Sequence, residues 1–140
     1  MVREFNPSDM DQVISIWLEA SIKAHDFIDS NFWKSKVKDM REVYLPSTEN
    51  YVYEIEETII GFVSLSNDTL AAIFVAPSAQ GQGIGKQLMK KAKNVRKHLN
   101  LTVYKENYKS IEFYEQCGFE TEQEQIDEHT GHPELVMNLV

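Results

Sequence analysis

A single cysteine, Cys117, leaves this chain without an internal disulfide and without a multi-cysteine zinc or iron–sulfur site. That pattern suits a reducing compartment. No apolar run approaches the length of a membrane span, and the N-terminus lacks a basic stretch followed by an apolar one. The expected location is therefore the cytoplasm, with no membrane partner. Proline and glycine are few and build no linker, repeat or low-complexity tract, so residues 1–140 are expected to form one domain. Positive charge is in deficit as well. The net formal charge of −8 argues against a nucleic-acid partner, which requires a basic face to displace counterions.

What is present is an ordinary globular composition, 42% hydrophobic and 26% charged, over a length sufficient for one core. The scarce positive charge is concentrated. Lys86, Lys90, Lys91, Lys93, Arg96 and Lys97 form a run with no acid between them. Removing those six positive charges from the net −8 leaves −14 on the remainder. One segment is a cationic island on an acidic body, either a solvated helix face or an attractor of anions.

Hydrophobic spacing supplies the elements. Val2–Phe5 reads as a short strand, and Asn6-Pro7 starts a helix in which Val13, Ile14, Trp17, Leu18 and Ile22 share a face. A second helix is predicted from Ser30 to Tyr44, ending before Pro46. Tyr51–Glu56, Ile59–Ser66 and Leu70–Val75 read as a meander of strands, with turns at Glu57-Thr58 and Asn67-Asp68. Ile84, Leu88, Ala92 and Val95 mark a long amphipathic helix, followed by a strand at Leu99–Tyr104 and a short helix at Ser110–Gln116. Phe119–Ile126 and Glu134–Leu139 close the chain as a hairpin around His129 and His132, which read as exposed loop histidines without metal-ligand spacing. The order is βααβββαβαββ, an α/β (α+β) arrangement with a mixed sheet.

The most informative stretch runs from Val75 through Pro77 and Gln80-Gly81-Gln82-Gly83-Ile84-Gly85-Lys86. It leaves a strand and enters the long helix. Glycines there let the backbone approach a ligand, and free amides at the helix start favour a phosphate or pyrophosphate. Two common phosphate motifs do not fit. A P-loop needs glycine and Ser/Thr where Gln80 and Gln87 stand, and a dinucleotide fingerprint needs glycine at Lys86.

Gln80-x-x-Gly83-x-Gly85 resembles the coenzyme A pyrophosphate loop of the GNAT acetyltransferase superfamily. Phe74-Val75-x-Pro77 before it and Leu88-Met89 after it belong to the same resemblance. So does the later run from Leu101 through Asn107 and Ser110 to Phe113-Tyr114-x-x-x-Gly118-Phe119. The resemblance implies a mostly antiparallel mixed sheet of about seven strands with about four helices on its faces. It implies acetyl-CoA as donor and direct transfer of acetyl to a primary amine. The backbone of Ile73, Phe74 and Val75 would pair with the pantetheine arm, and the amides from Gly81 to Lys86 would hold the pyrophosphate. Asn107 and Ser110 would reach the pantetheine and phosphate region, with helix capping as a second role for Asn107.

Tyr114 would be the general acid that protonates the departing thiolate, packing beside Phe113 being the alternative. Many members of the family carry a glutamate at the position of Thr102, which cannot remove a proton; Glu54, Glu56, Asp26 and His25 remain as carboxylates or imidazoles that could act through water. His25, Asp26 and Phe27 lie where the family walls its acceptor site, or else plug the core. The acceptor could be a protein lysine, a peptide amine, or a small amine such as a polyamine or antibiotic. A non-catalytic acyl-CoA-binding module is the other class, and either could be a monomer or a homodimer.

Overall fold

The computed structural model describes all of residues 1–140. Seven strands form one sheet in the order β1-β2-β3-β4-β5-β7-β6, with β1 at Val2–Glu4, β2 at Glu49–Ile55, β3 at Thr58–Ser66, β4 at Thr69–Val75, β5 at Asn100–Tyr104, β6 at Phe119–Ile126 and β7 at Pro133–Leu139. Every neighbouring pair is antiparallel except β4 and β5. Helices α1 (Met10–Ala24), α5 (Ile84–Val95) and α6 (Tyr108–Gln116) match the expected positions.

The second predicted helix is broken. It runs as α2 (Ser30–Ser35), α3 (Val37–Asp39), a π-helical turn (Met40–Tyr44) and α4 (Leu45–Ser47). Pro46 does not stop it as expected. The proline falls in the first turn of α4, where a missing N–H is tolerated, after the π turn has already altered the bonding.

Strand β3 separates two cores because its side chains alternate between faces. Phe62 joins Val13, Ile14, Trp17, Trp33 and Val52 under α1 and α2. Val63 and Leu65 join Leu88, Met89, Ala92, Leu101, Tyr114 and Met137 under α5 and α6. The edge strand β6 is exposed beyond Phe119 and carries Glu120, Glu122 and Glu124, charges that discourage pairing with another chain.

The β2–β3 turn lies one residue earlier than predicted. Ile55 pairs with Thr58, and Glu56 and Glu57 both take positive φ, 48° and 68°. Two adjacent residues in that region match the hairpin turn that favours Asn-Gly, and two glutamates fit it poorly. Replacing Glu56→Asn together with Glu57→Gly should stabilise the fold by about 1 kcal/mol. A higher urea midpoint at unchanged slope would show it, and an unchanged or lower midpoint would argue against the turn.

The feature that shapes the rest is a parting in the sheet. Strands β4 and β5 meet in register only at Thr69 and Asn100. Ala71 is an extra residue on β4, since Ser64 faces Ala72 while Leu65 faces Leu70. Such a bulge bends its strand, and here it turns β4 away from β5.

Candidate active site

The parting opens a cleft of about 910 Å³, bounded by β4, the glycine loop, β5, the start of α6 and the end of α1. The register shows which backbone groups face it. Ala76 N–H donates to the Ile60 carbonyl at 2.8 Å, so by alternation Phe74 and Ala72 also direct their amides and carbonyls toward β3. Ile73 and Val75 direct theirs into the gap. The expected backbone contact at Phe74 is therefore already taken by β3, while Ile73 and the N–H of Val75 are open; the Val75 carbonyl accepts from Gln80 Nε2 at 3.1 Å. On the opposite wall, Leu139 N–H donates to Leu99 and Lys105 N–H to Pro133. The same alternation leaves the backbones of Thr102 and Tyr104 facing the gap.

Above this gap the glycine loop offers its amides. Gly81 and Gly83 have φ of 82° and 81°, a conformation that glycine adopts without strain. The first bond into α5 runs from Gln87 N–H to the Gly83 carbonyl at 3.2 Å, and no backbone N–H from Gly81 to Lys86 donates within the protein. Six consecutive free amides at the start of a twelve-residue helix are donors of the kind an anion such as a phosphate takes.

Gly85 has a different reason to be glycine. A Cβ there would sit 3.3 Å from two ring carbons of Phe113, so Gly85 lets α5 close onto α6. Gln80 lines the cleft as well. Its Nε2 donates to the Val75 carbonyl at 3.1 Å and ties the loop to the end of β4.

Half of the cationic island is engaged within the protein. Lys91 lies over the Tyr51 ring at 4.9 Å, Lys93 donates to the Cys117 carbonyl, and Arg96 pairs with Glu49 at 2.9 Å. Of the run, Lys86 lines the cleft, joined there by Lys109 of α6.

Tyr114 lines the cleft from below, 9% exposed, its ring edge-on to Phe113 and Phe119. Its hydroxyl makes no hydrogen bond within the protein. Burial, with Cys117 close by, raises the phenol well above the usual tyrosine range, so it stays protonated and able to donate at neutral pH. Packing thus leaves the hydroxyl free to donate. Burial also pushes the Cys117 thiol up, and Cys117 does not line the cleft, so it offers no activated nucleophile.

Asn107 caps α6, its Oδ1 accepting from Ser110 N–H at 3.3 Å, while Nδ2 lies 3.3 Å from Nε2 of His25. The second hydrogen on Nδ2 remains available to a ligand. Ser110 lines the cleft.

At the far end, His25 and Asp26 line the cleft, whereas Phe27 packs on His25, Tyr104 and His132 and belongs to the wall behind it. Glu54 is ion-paired with Arg3 on the β1–β2 edge and Glu56 sits in the hairpin turn, so neither reaches the cleft. Two carboxylates not anticipated from sequence do, Glu106 and Glu134. Glu106 directly precedes Asn107 and could have been noticed there. Glu134 comes in only because β7 pairs with β5, setting it opposite Tyr104. His132 is half-buried rather than free in the loop, its Nδ1 lying 3.0 Å from Glu106.

Comparison with known proteins gives a consistent result. The family model for the acetyltransferase (GNAT) domain matches residues 46–121. The chain is 39% identical over 120 residues to the peptidyl-lysine N-acetyltransferase YiaC of Escherichia coli K12, covering 85% of this chain and 82% of that protein. Its fold is similar to that of apo-form YjaB from Escherichia coli, with a TM-score of 0.88 at 24% identity over 100% of this chain and 97% of the other. It is also similar in fold to the PaiA N-acetyltransferase of Thermoplasma acidophilum, solved in complex with coenzyme A, with a TM-score of 0.84 at 19% identity over 99% and 97%.

Proposed function

The chain belongs to the GNAT acetyltransferase family and is an N-acetyltransferase, and on that premise we propose that its acceptor is the ε-amine of lysine in a protein or peptide. The observation that carries the acceptor is the 39% identity to an enzyme named for peptidyl-lysine acetylation, over most of both chains. The cleft supports it chemically. Its cofactor end has free amides with Lys86 and Lys109, suited to an anionic carrier. Its other end has Asp26, Glu106 and Glu134 against Lys23, a lining that remains net negative and suited to an ammonium group.

Acetyl-CoA supplies an activated acetyl group whose departure leaves a thiolate. The amides from Gly81 to Lys86 hold the diphosphate, and the backbone of Ile73 and Val75 orients the pantetheine along the open edge of β4. Tyr114 Oη gives its proton to the departing sulfur. The amine must arrive neutral, because an ammonium group has no lone pair with which to attack. The acylated nitrogen sheds one proton to solvent, and solvent returns one to the Tyr114 phenolate, so acetyl moves to nitrogen, the carrier departs as free thiol and the phenol is restored. No cysteine takes part, in keeping with the inactive surroundings of Cys117.

Mass spectrometry of acetyl-CoA reactions with lysine peptides, α-amine peptides, polyamines and aminoglycosides tests the reading. Acetylation of internal lysines faster than the other amines is expected. A clear preference for polyamines or aminoglycosides would reassign the acceptor. Free-thiol release from no amine at all would leave an acyl-CoA-binding module.

A further inference from the structure

Across the cleft from the glycine loop, α1 and α6 are joined by one pair of side chains. Asn107 Nδ2 lies 3.3 Å from His25 Nε2, and Oδ1 of the same amide accepts from the Ser110 backbone at 3.3 Å. The second contact decides the first. An amide turned the other way would set its NH₂ against the Ser110 N–H, donor against donor. Nδ2 therefore faces His25 as a donor and Nε2 accepts, which puts the imidazole proton on Nδ1, a buried nitrogen beside the Ser21 backbone that has no hydrogen-bond partner of good geometry in the protein.

The ring is held tightly in that role. His25 is 7% exposed, stacked on Trp33 at 4.9 Å, and met edge-on by Tyr104 at 5.2 Å and Phe27 at 5.9 Å. Asn107 begins α6, and Tyr114 stands on that helix facing the same cleft. We propose that His25 is a positioning residue: as a neutral acceptor it fixes the Asn107 amide, and through that cap it fixes the start of α6 and the direction of the Tyr114 hydroxyl. Its effect on turnover rests on the acetyl-transfer reading; its geometry does not.

A protonated ring would have only donors to offer Asn107, and the cap would be released. The titratable groups around His25 are Lys23 and Asp26 on or beside α1, Tyr104 on β5, Glu106 after β5, Glu134 on β7, and His132 behind Phe27. None of them hydrogen-bonds either ring nitrogen. Burial lowers the pKa of His25, with the Ser21 carbonyl opposing it, so the neutral ring is the form present at neutral pH. The arrangement fails only toward acid.

Long-range ¹H–¹⁵N spectra of the wild-type protein without ligand, near neutral pH, should show His25 protonated on Nδ1 alone. A ring protonated on Nε2, or on both nitrogens, overturns the proposal. Two variants read the consequence. His25→Gln places an amide oxygen near the site of Nε2, while His25→Phe keeps the ring and removes the acceptor. His25→Phe should lower kcat about tenfold or more with a smaller change in acceptor KM, and should speed hydrogen exchange at the Ser110 amide. His25→Gln should restore most of both. Equal losses in the two variants, or full turnover with a protected Ser110 in His25→Phe, would overturn it. If the wild type transfers no acetyl group, the catalytic reading fails, while the tautomer and the Ser110 amide still decide the positioning role.

Discussion

Tyr114→Phe is expected to lower kcat by about a hundredfold or more while leaving coenzyme A affinity within about twofold. The substitution removes one oxygen from a buried ring whose packing on Phe113 and Phe119 is unchanged. Because that hydroxyl has no hydrogen-bond partner in the protein, its loss leaves no orphaned group and should not destabilise the fold. What disappears is the proton that would reach the departing thiolate. The raised pKa adds a second expectation. In the proposed mechanism the protonated phenol is the working form, so alkaline loss of turnover should fall above the ordinary tyrosine value of 10.0, not below it. Steady-state kinetics with a chemistry-limited peptide, beside calorimetry with coenzyme A, separates the two effects. Unchanged turnover would remove Tyr114 from the reaction.

Gly83→Val should weaken coenzyme A binding by about tenfold or more. The reason is not crowding inside the free protein, since a Cβ at Gly83 would meet nothing within 4 Å. It is the φ of 81° at the residue that opens α5, a conformation that a β-branched side chain resists strongly. Relaxing that strain rotates the neighbouring peptides and scatters the free amides that converge at the helix start. Any side chain left in place would also stand in the space the diphosphate needs. Melting temperature should also fall, by the strain of about 1–3 kcal/mol that a β-branched residue carries at this φ, so affinity is measured where both proteins are folded. Wild-type affinity in calorimetry would show that the loop does not hold the diphosphate.

Much of this was legible in the sequence because it rests on local chemistry. The glycine loop announced its own free amides, the helix faces followed from apolar spacing, and Asn107 was recognisable as a cap. The parting of β4 from β5 was not legible, although the site depends on it. It arises from a bulge at Ala71, and nothing about an alanine marks it as the extra residue until the register with β3 is known. The same holds for Phe74, whose side chain fits the motif while its backbone is taken by β3. Long-range pairing likewise brought Glu134 into the cleft and removed Glu54 from it. The lysine run left two roles open for a related reason, since the partners of Lys91, Lys93 and Arg96, namely Tyr51, Cys117 and Glu49, all come from other elements. The broken second helix turned on Pro46, which sequence rules treat as a stop and the π turn accommodates.

The open edge of β4 can be examined one amide at a time. Hydrogen exchange followed by NMR, with and without coenzyme A, should show Ile73 and Val75 slowing sharply on binding, while Phe74, already bonded to β3, changes little. Binding that leaves Ile73 and Val75 exchanging as in the free protein would contradict the placement of the cofactor in the gap between β4 and β5.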